Sequence, residues 1–207
     1  ALIDLGPFLP AEPRGEGWSP APIPQGWLQP VDASVALTAE RLTIGPIAAE
    51  RVQLVGTLDR GRGSVDLREF HLWGGELTGQ LAMNARDGLS SGAELRAAGI
   101  DLARATTALA GRPLLTGTGE GELRAVGAGR SLAEQVNTLS GQGRIALTEG
   151  AIPGLDLAAG WRGGNIAAGA TRFDSLVARF RIAEGVMTSD QLTMSTGGQV
   201  TEGHGMI

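Results

Sequence analysis

The side chains able to do chemistry are few and widely spaced. His71 and His204 are the only histidines. A zinc site would need both of them together with carboxylates, and His71 has no partner at ligand spacing. It reads as a strand residue beside Trp73, and His204 sits in a glycine-rich terminus. Asp156, Asp174 and Asp190 stand near turns. Two of them together would suit glycoside hydrolysis, but Asx-turn and capping roles account for each. Ser131, with Glu134 three residues on, has the spacing of a capping box, and no G-x-S-x-G elbow occurs. Gly117, Gly119 and Gly121 outline a phosphate cradle, yet no lysine follows and Glu120 and Glu122 would repel phosphate. They read as turn or strand-edge glycines.

Composition removes further chemistries. The 17 basic residues are all arginine, so Schiff-base lysines, a P-loop lysine and a Ser-Lys dyad are impossible. With no cysteine there is no disulfide framework, thiol catalysis or cysteine-ligated zinc. A net charge of -5 without a basic cluster argues against nucleic acid as a partner. The arginines fall singly along the strands and read as a solvated face. No stretch approaches the ~20 apolar residues of a membrane span. Beginning at Ala1 and ending at Ile207 in mid-pattern, the sequence reads as a fragment. The expectation is a non-enzymatic chain without a cofactor or metal.

The elements that would carry any site are strands. Val31, Ala33, Val35 and Leu37 alternate with polar residues, as do Val52, Leu54, Gly56 and Leu58, then Leu77, Gly79, Leu81 and Met83, then Ala93, Leu95 and Ala97. Such period-two patterning means strands with one buried and one wet face. Asp59-Arg60-Gly61, Gly74-Gly75 and Asp87-Gly88 supply turns, which predicts an antiparallel meander over 31–99. Asp101 followed by Leu102, Ala105, Thr106 and Leu109 predicts a short helix over 101–111, stopped by Gly111. A second is predicted at 131–139, with Gly141 as its stop. Strands resume at Gln142–Thr148, Arg172–Ala183 and Val186–Thr196. Residues 1–30 hold seven of the ten prolines with Trp18 and Trp27, so they read as an extended arm or linker before a β module over 31–207, whose second β portion runs over 117–207. The four tryptophans read as packing anchors.

Some motifs are more specific than alternation. Gly117–Leu132 (GTGEGELRAVGAGRSL), Leu139–Gly143 (LSGQG) and Glu149–Asp156 (EGAIPGLD) are followed by Thr171–Leu176 (TRFDSL) and Ala183–Leu192 (AEGVMTSDQL). Upstream stand Ile3–Pro10 (IDLGPFLP) and Leu72–Gly79 (LWGGELTG). In this order and spacing they resemble the C-terminal region of the AsmA family, over nearly the whole chain. The resemblance implies a mainly β, curled antiparallel sheet with two short helices, forming an open groove or a flattened half-barrel. It also implies a periplasmic location in a bacterial envelope, with an inner-membrane anchor outside this sequence and a part in outer-membrane assembly and lipid homeostasis. Other envelope proteins are the implied partners, and no catalytic residue is carried over.

If phospholipid acyl chains are the partner, the apolar face must receive them. A chain of ~16 carbons at about 0.8 kcal/mol per CH₂ costs roughly 13 kcal/mol to expose to water. The lipid-contact candidates are Leu54, Leu58, Leu77, Leu81, Met83, Leu95, Phe180 and Ile182, with Ala33, Gly56, Gly79 and Ala97 leaving room for tails. A closed-core structural or protein-binding module is the alternative, and a β-rich polysaccharide-acting enzyme a more distant one.

Overall fold

The structure, a computed structural model, describes residues 1–4, 18–24, 32–86, 88–157, 159, 163, 165, 167 and 169–206. Among the described residues, eleven strands form one open sheet in strict chain order. They are β1 (Leu2–Asp4), β2 (Ala33–Ile44), β3 (Ile47–Asp59), β4 (Arg62–Leu72), β5 (Gly75–Asn84), β6 (Ser90–Asp101), β7 (Thr116–Ala128), β8 (Ser140–Pro153), β9 (Ala170–Ala183), β10 (Val186–Thr196) and β11 (Gln199–Met206). Every neighbouring pair is antiparallel except β1, which runs parallel to β2. The predicted meander is therefore present and continues past residue 99 to the far edge. The turns fall where their residues permit. Arg60 (φ 42°) with Gly61, and Trp73 (φ 50°) with Gly74, take the left-handed backbone that β3–β4 and β4–β5 need. The Arg60 guanidinium is held above its ordinary value, first by its hydrogen bond to Asp59 and then by the charges of Asp59 and Asp32.

Helix α1 (Leu102–Ala110) links β6 to β7, and α2 (Leu132–Asn137) links β7 to β8. Asp101 caps α1 by accepting from the Arg104 N–H at 3.0 Å, and Gly111 (φ 72°) ends it. Ser131 caps α2 by accepting from the Glu134 N–H at 3.1 Å, while Glu134 accepts from the Arg130 N–H at 2.7 Å. The second helix is shorter than predicted. It ends at Thr138, whose hydroxyl donates to Glu134 O (3.0 Å) and accepts from the Ala128 N–H (2.8 Å), so Gly141 is no helix stop but a residue of β8.

The reading of Gly119 and Gly121 as turn or edge glycines is also corrected: they lie inside β7, paired with β6 and β8, whereas Gly117 (φ 105°) occupies the bulge near the start of that strand. Gly119 is small because α1 approaches it. A Cβ there would sit 2.8 Å from Leu102 Cδ2.

Bulges interrupt the alternation along one end of the sheet. The pairing slips by one residue between Leu67 and His71, between Ala97 and Ile100, and between Thr116 and Thr118. Each bulge bends its strand and sharpens the twist. Two packed clusters lie on this side: Ala39, Leu42, Ala49, Val52, Phe70 and Leu72 under β2–β4, and Leu102, Leu147 and Phe173 where α1 meets the sheet. Fully burying a side chain such as Val52 contributes about 1.5–3 kcal/mol.

Candidate functional site

Strand register decides which side chains share a face. Residues directly opposite across paired strands point the same way, so one row can be followed from strand to strand. Leu37, Leu54, Leu67, Gly79, Leu95, Leu123, Gly143 and Phe180 are successive partners from β2 to β9. The next row is Val35, Gly56, Val65, Leu81, Ala93, Ala125, Gly141, Ile182 and Met187. These two rows carry no charge and no hydrogen-bonding side chain. At ~4.8 Å between strands, eight strands span roughly 34 Å, comparable with the ~30 Å hydrocarbon core of a bilayer.

All eight candidates from the sequence fall on this one face. Leu81 and Ile182 stand in the second row, and Leu54, Leu95 and Phe180 in the first. Leu58, Leu77 and Met83 follow by alternation from Leu54 and Leu81 along β3 and β5. Their surroundings differ. Leu54 and Leu77 pack on the β2–β4 cluster, and Leu58 packs with Ile23, Ala85 and Leu89 at the opposite end of the strands. Leu95, Phe180 and Ile182 are half-buried. Leu81 and Met83 remain 39% and 40% exposed.

The sequence reading omitted Val35, Leu123 and Ile145 from the candidates, although each alternates within its own strand. Val35 is 55% exposed and Ile145 37%. Ile145 joins the face through Gly121 and Ala178, its partners on β7 and β9. The missing signal was register, which places a residue among partners from other strands.

The two helices sit at opposite ends of β7. Leu102 of α1 reaches the Gly119 end, while Gln135 of α2 and Leu139 just beyond that helix approach Gly127 at the other. Gln135 fixes α2 there: its amide donates to Leu89 O (3.0 Å) and Gly129 O (2.8 Å), and it accepts from Ser91 Oγ (2.7 Å). The middle of the face keeps its exposure.

Not every small residue leaves space. Gly56 does, since a Cβ there would find only ordinary contacts at 3.6 and 3.8 Å. Gly79 does not: its φ is +136°, and a Cβ would overlap Glu94 O, so the residue serves the close approach of β6.

The other face is polar. Asp66, Gln80, Glu94, Arg124, Gln142 and Arg181 form one row, and Thr78, Arg96, Glu122, Arg144 and Arg179 the next. Arg124 pairs with Glu94 at 2.6 Å, Arg96 with Glu122 at 3.7 Å and Arg144 with Glu120 at 3.7 Å. The solvated face read from the sequence is thus a cross-strand ladder of charges.

The residues first considered for chemistry are dispersed. His71 accepts from Arg51 Nη2 through Nδ1 (3.0 Å), leaving Nε2 to donate to Glu69 (3.1 Å). Asp156 accepts from the Ala159 N–H at 2.8 Å, and Asp174 from the Gly197 N–H at 2.7 Å, both loop-fixing roles. Trp73 packs on the β2–β4 cluster, whereas Trp27 and Trp161 lie outside the described residues. Among the described residues no group of three potential metal ligands occurs, and no helix is long and apolar enough to cross a membrane.

Comparison with curated proteins and with solved structures gave no match. Comparison with protein families gave one that covers most of the molecule. The AsmA family model matches residues 8–192, a span running from ahead of β2 into β10 and so including the apolar face and both helices. That family is associated with the bacterial envelope and is not known as an enzyme family. An open, chain-ordered sheet with one aliphatic face, matched over this span, makes the chain a member of the AsmA family.

Proposed function

We propose that this chain is a passive lipid-handling module of the bacterial envelope, whose aliphatic face carries phospholipid acyl chains in the periplasm. The observation that carries this reading is the exposed middle of a face whose two central rows are wholly apolar. Val35, Leu81, Met83 and Ile145 are each more than a third exposed, on a surface where register gathers apolar residues from eight strands. Exposed apolar patches of this extent mark sites of interaction with a partner or a membrane. The partner suited to a long, featureless aliphatic strip is a long, featureless aliphatic chain.

The mechanism needs no bond chemistry. Moving a lipid between membranes is opposed by the cost of wetting its tails, roughly 13 kcal/mol for a chain of ~16 carbons. A strip oriented across the strands offers apolar contact along its whole length, so a tail can advance without leaving it. In the whole protein, an inner-membrane anchor and other envelope proteins would supply the two ends of the path.

The test is site-specific photocrosslinking in cells with the full-length protein. A photoreactive residue at Leu81 or Leu95 should give lipid adducts, and one at Gln80, on the opposite face, should not. Absence of lipid at both apolar positions, or equal labelling at Gln80, would overturn the proposal in favour of a structural module.

A further inference from the structure

The charged face breaks its own alternation at β8 and β9. Through β6 and β7 each arginine stands opposite a glutamate, as Arg124 does with Glu94 and Arg96 with Glu122. At the next step Arg144 stands directly opposite Arg179, and Gln142 opposite Arg181. Like charges directly opposite on a sheet are destabilising. Arg179 has only a 3.4 Å hydrogen bond to Gln191, and among the described residues Arg181 has no ion pair or hydrogen bond. Local rules broken without visible compensation mark functional positions.

These three arginines border a concavity of about 460 Å³ on the charged face. Its lining holds five arginines against three acids, Glu94, Glu122 and Asp190, in a chain whose net charge is -5. Two of those acids are already matched by Arg124 and Arg96. Arg144 keeps a 3.7 Å ion pair with Glu120, so the surplus positive charge is concentrated at Arg179 and Arg181, with Arg144 directly beside them. Directly opposite residues are ~5 Å apart at Cβ. Positions 179 and 181 are next-but-one on the same strand, at ~3.4 Å rise per residue. Three guanidinium forks at such spacings suit one anion with several oxygens, because arginine presents planar paired donors that match phosphate.

We infer that Arg144, Arg179 and Arg181 form a binding site for a phosphate-bearing anion on the face opposite the aliphatic strip. The anion supplies the negative charge that the ladder lacks at this step, and it relieves the repulsion between Arg144 and Arg179. Such a group can belong to a lipid headgroup lying at the surface or to a soluble phosphate ester. The site does not depend on acyl chains being carried by the other face.

The experiment is titration of the whole chain with inorganic pyrophosphate and, separately, with phosphatidylcholine vesicles with and without phosphatidic acid. Binding to at least one probe is expected, weakened about tenfold in Arg179→Gln and in Arg181→Gln and unchanged in Arg112→Gln. Arg112 lies in the loop after α1, away from this face. Response to vesicles alone assigns the phosphate to a lipid headgroup; response to pyrophosphate, with or without vesicles, assigns a soluble ester. Without any anion, Arg179→Gln should unfold at the same temperature as the parent or higher, since it removes a repulsion. Failure of the parent to bind either probe, or variants that bind as tightly as the parent, overturns the site. Lipid crosslinks at Leu81 would stand in either case.

Discussion

The Phe180 ring lies over the backbone of Gly143, its directly opposite partner on β8, so closely that a methyl group on Gly143 would overlap ring atom Cζ. A Cβ there would also sit 2.6 Å from Glu122 O on β7. The glycine is therefore the bed of the ring, and the half-buried Phe180 owes its burial to it. Gly143→Ala should destabilise the fold by ~1–3 kcal/mol through overpacking. Gly56→Ala, where a Cβ finds ordinary contacts at 3.6 and 3.8 Å, should change stability by no more than ~0.5 kcal/mol. Urea unfolding of the two variants side by side checks this, and similar midpoints would refute the distinction.

Phe173, only 3% exposed against Leu102 and Leu147, belongs to a packed interior. Phe173→Ala should cost ~3–5 kcal/mol as a cavity. Leu81→Ala, on the open middle of the same face, should cost less than ~1.5 kcal/mol, since its side chain is already partly wet. Equal losses at the two sites would mean that the middle of the face is core.

Gln135 is a buried polar side chain with every contact used. Gln135→Leu fits the volume but leaves Leu89 O, Gly129 O and Ser91 Oγ short of a partner, at a cost of ~1–3 kcal/mol. Amide hydrogen exchange should rise in α2 before it rises in β8. Uniform exchange across the chain would contradict a local anchoring role.

Ser131 is 4% exposed, and its hydroxyl accepts from the Glu134 N–H. Ser131→Ala should cost ~1 kcal/mol, and Ser131→Asp should restore most of it, because either side chain can cap the helix. A scan of melting temperatures separates the three proteins. No recovery with aspartate would point to packing rather than capping.

The strands and their apolar face were legible because alternation is a local property. Leu77, Gly79, Leu81 and Met83 sit on one side whatever β5 pairs with. Both helix starts were legible for a similar reason, since Asp101 and Ser131 bond three residues ahead within their own segments. What stayed hidden depends on other strands. At the bulges the apolar face moves on by three residues rather than two, from Ala97 to Ile100 and from Leu67 to Phe70, and nothing local announces the slip. The opposition of Arg144 and Arg179 has the same origin. Thirty-five positions separate them, and only register reveals that two solitary arginines are neighbours.

Strict chain order has a consequence for how such a protein is made. From β2 onward each strand pairs only with the strands just before and just after it, and the segment that waits for a distant partner is residues 19–23, which bond near Arg130 and Ala133. Contacts this local favour rapid assembly, because little loop-closure entropy precedes each new pairing. The sheet can grow hairpin by hairpin in chain order, with the newest strand as the template for the next. A sheet folded in chain order meets few topological obstacles, and its length can increase through evolution by adding strands at a free edge without redrawing the rest.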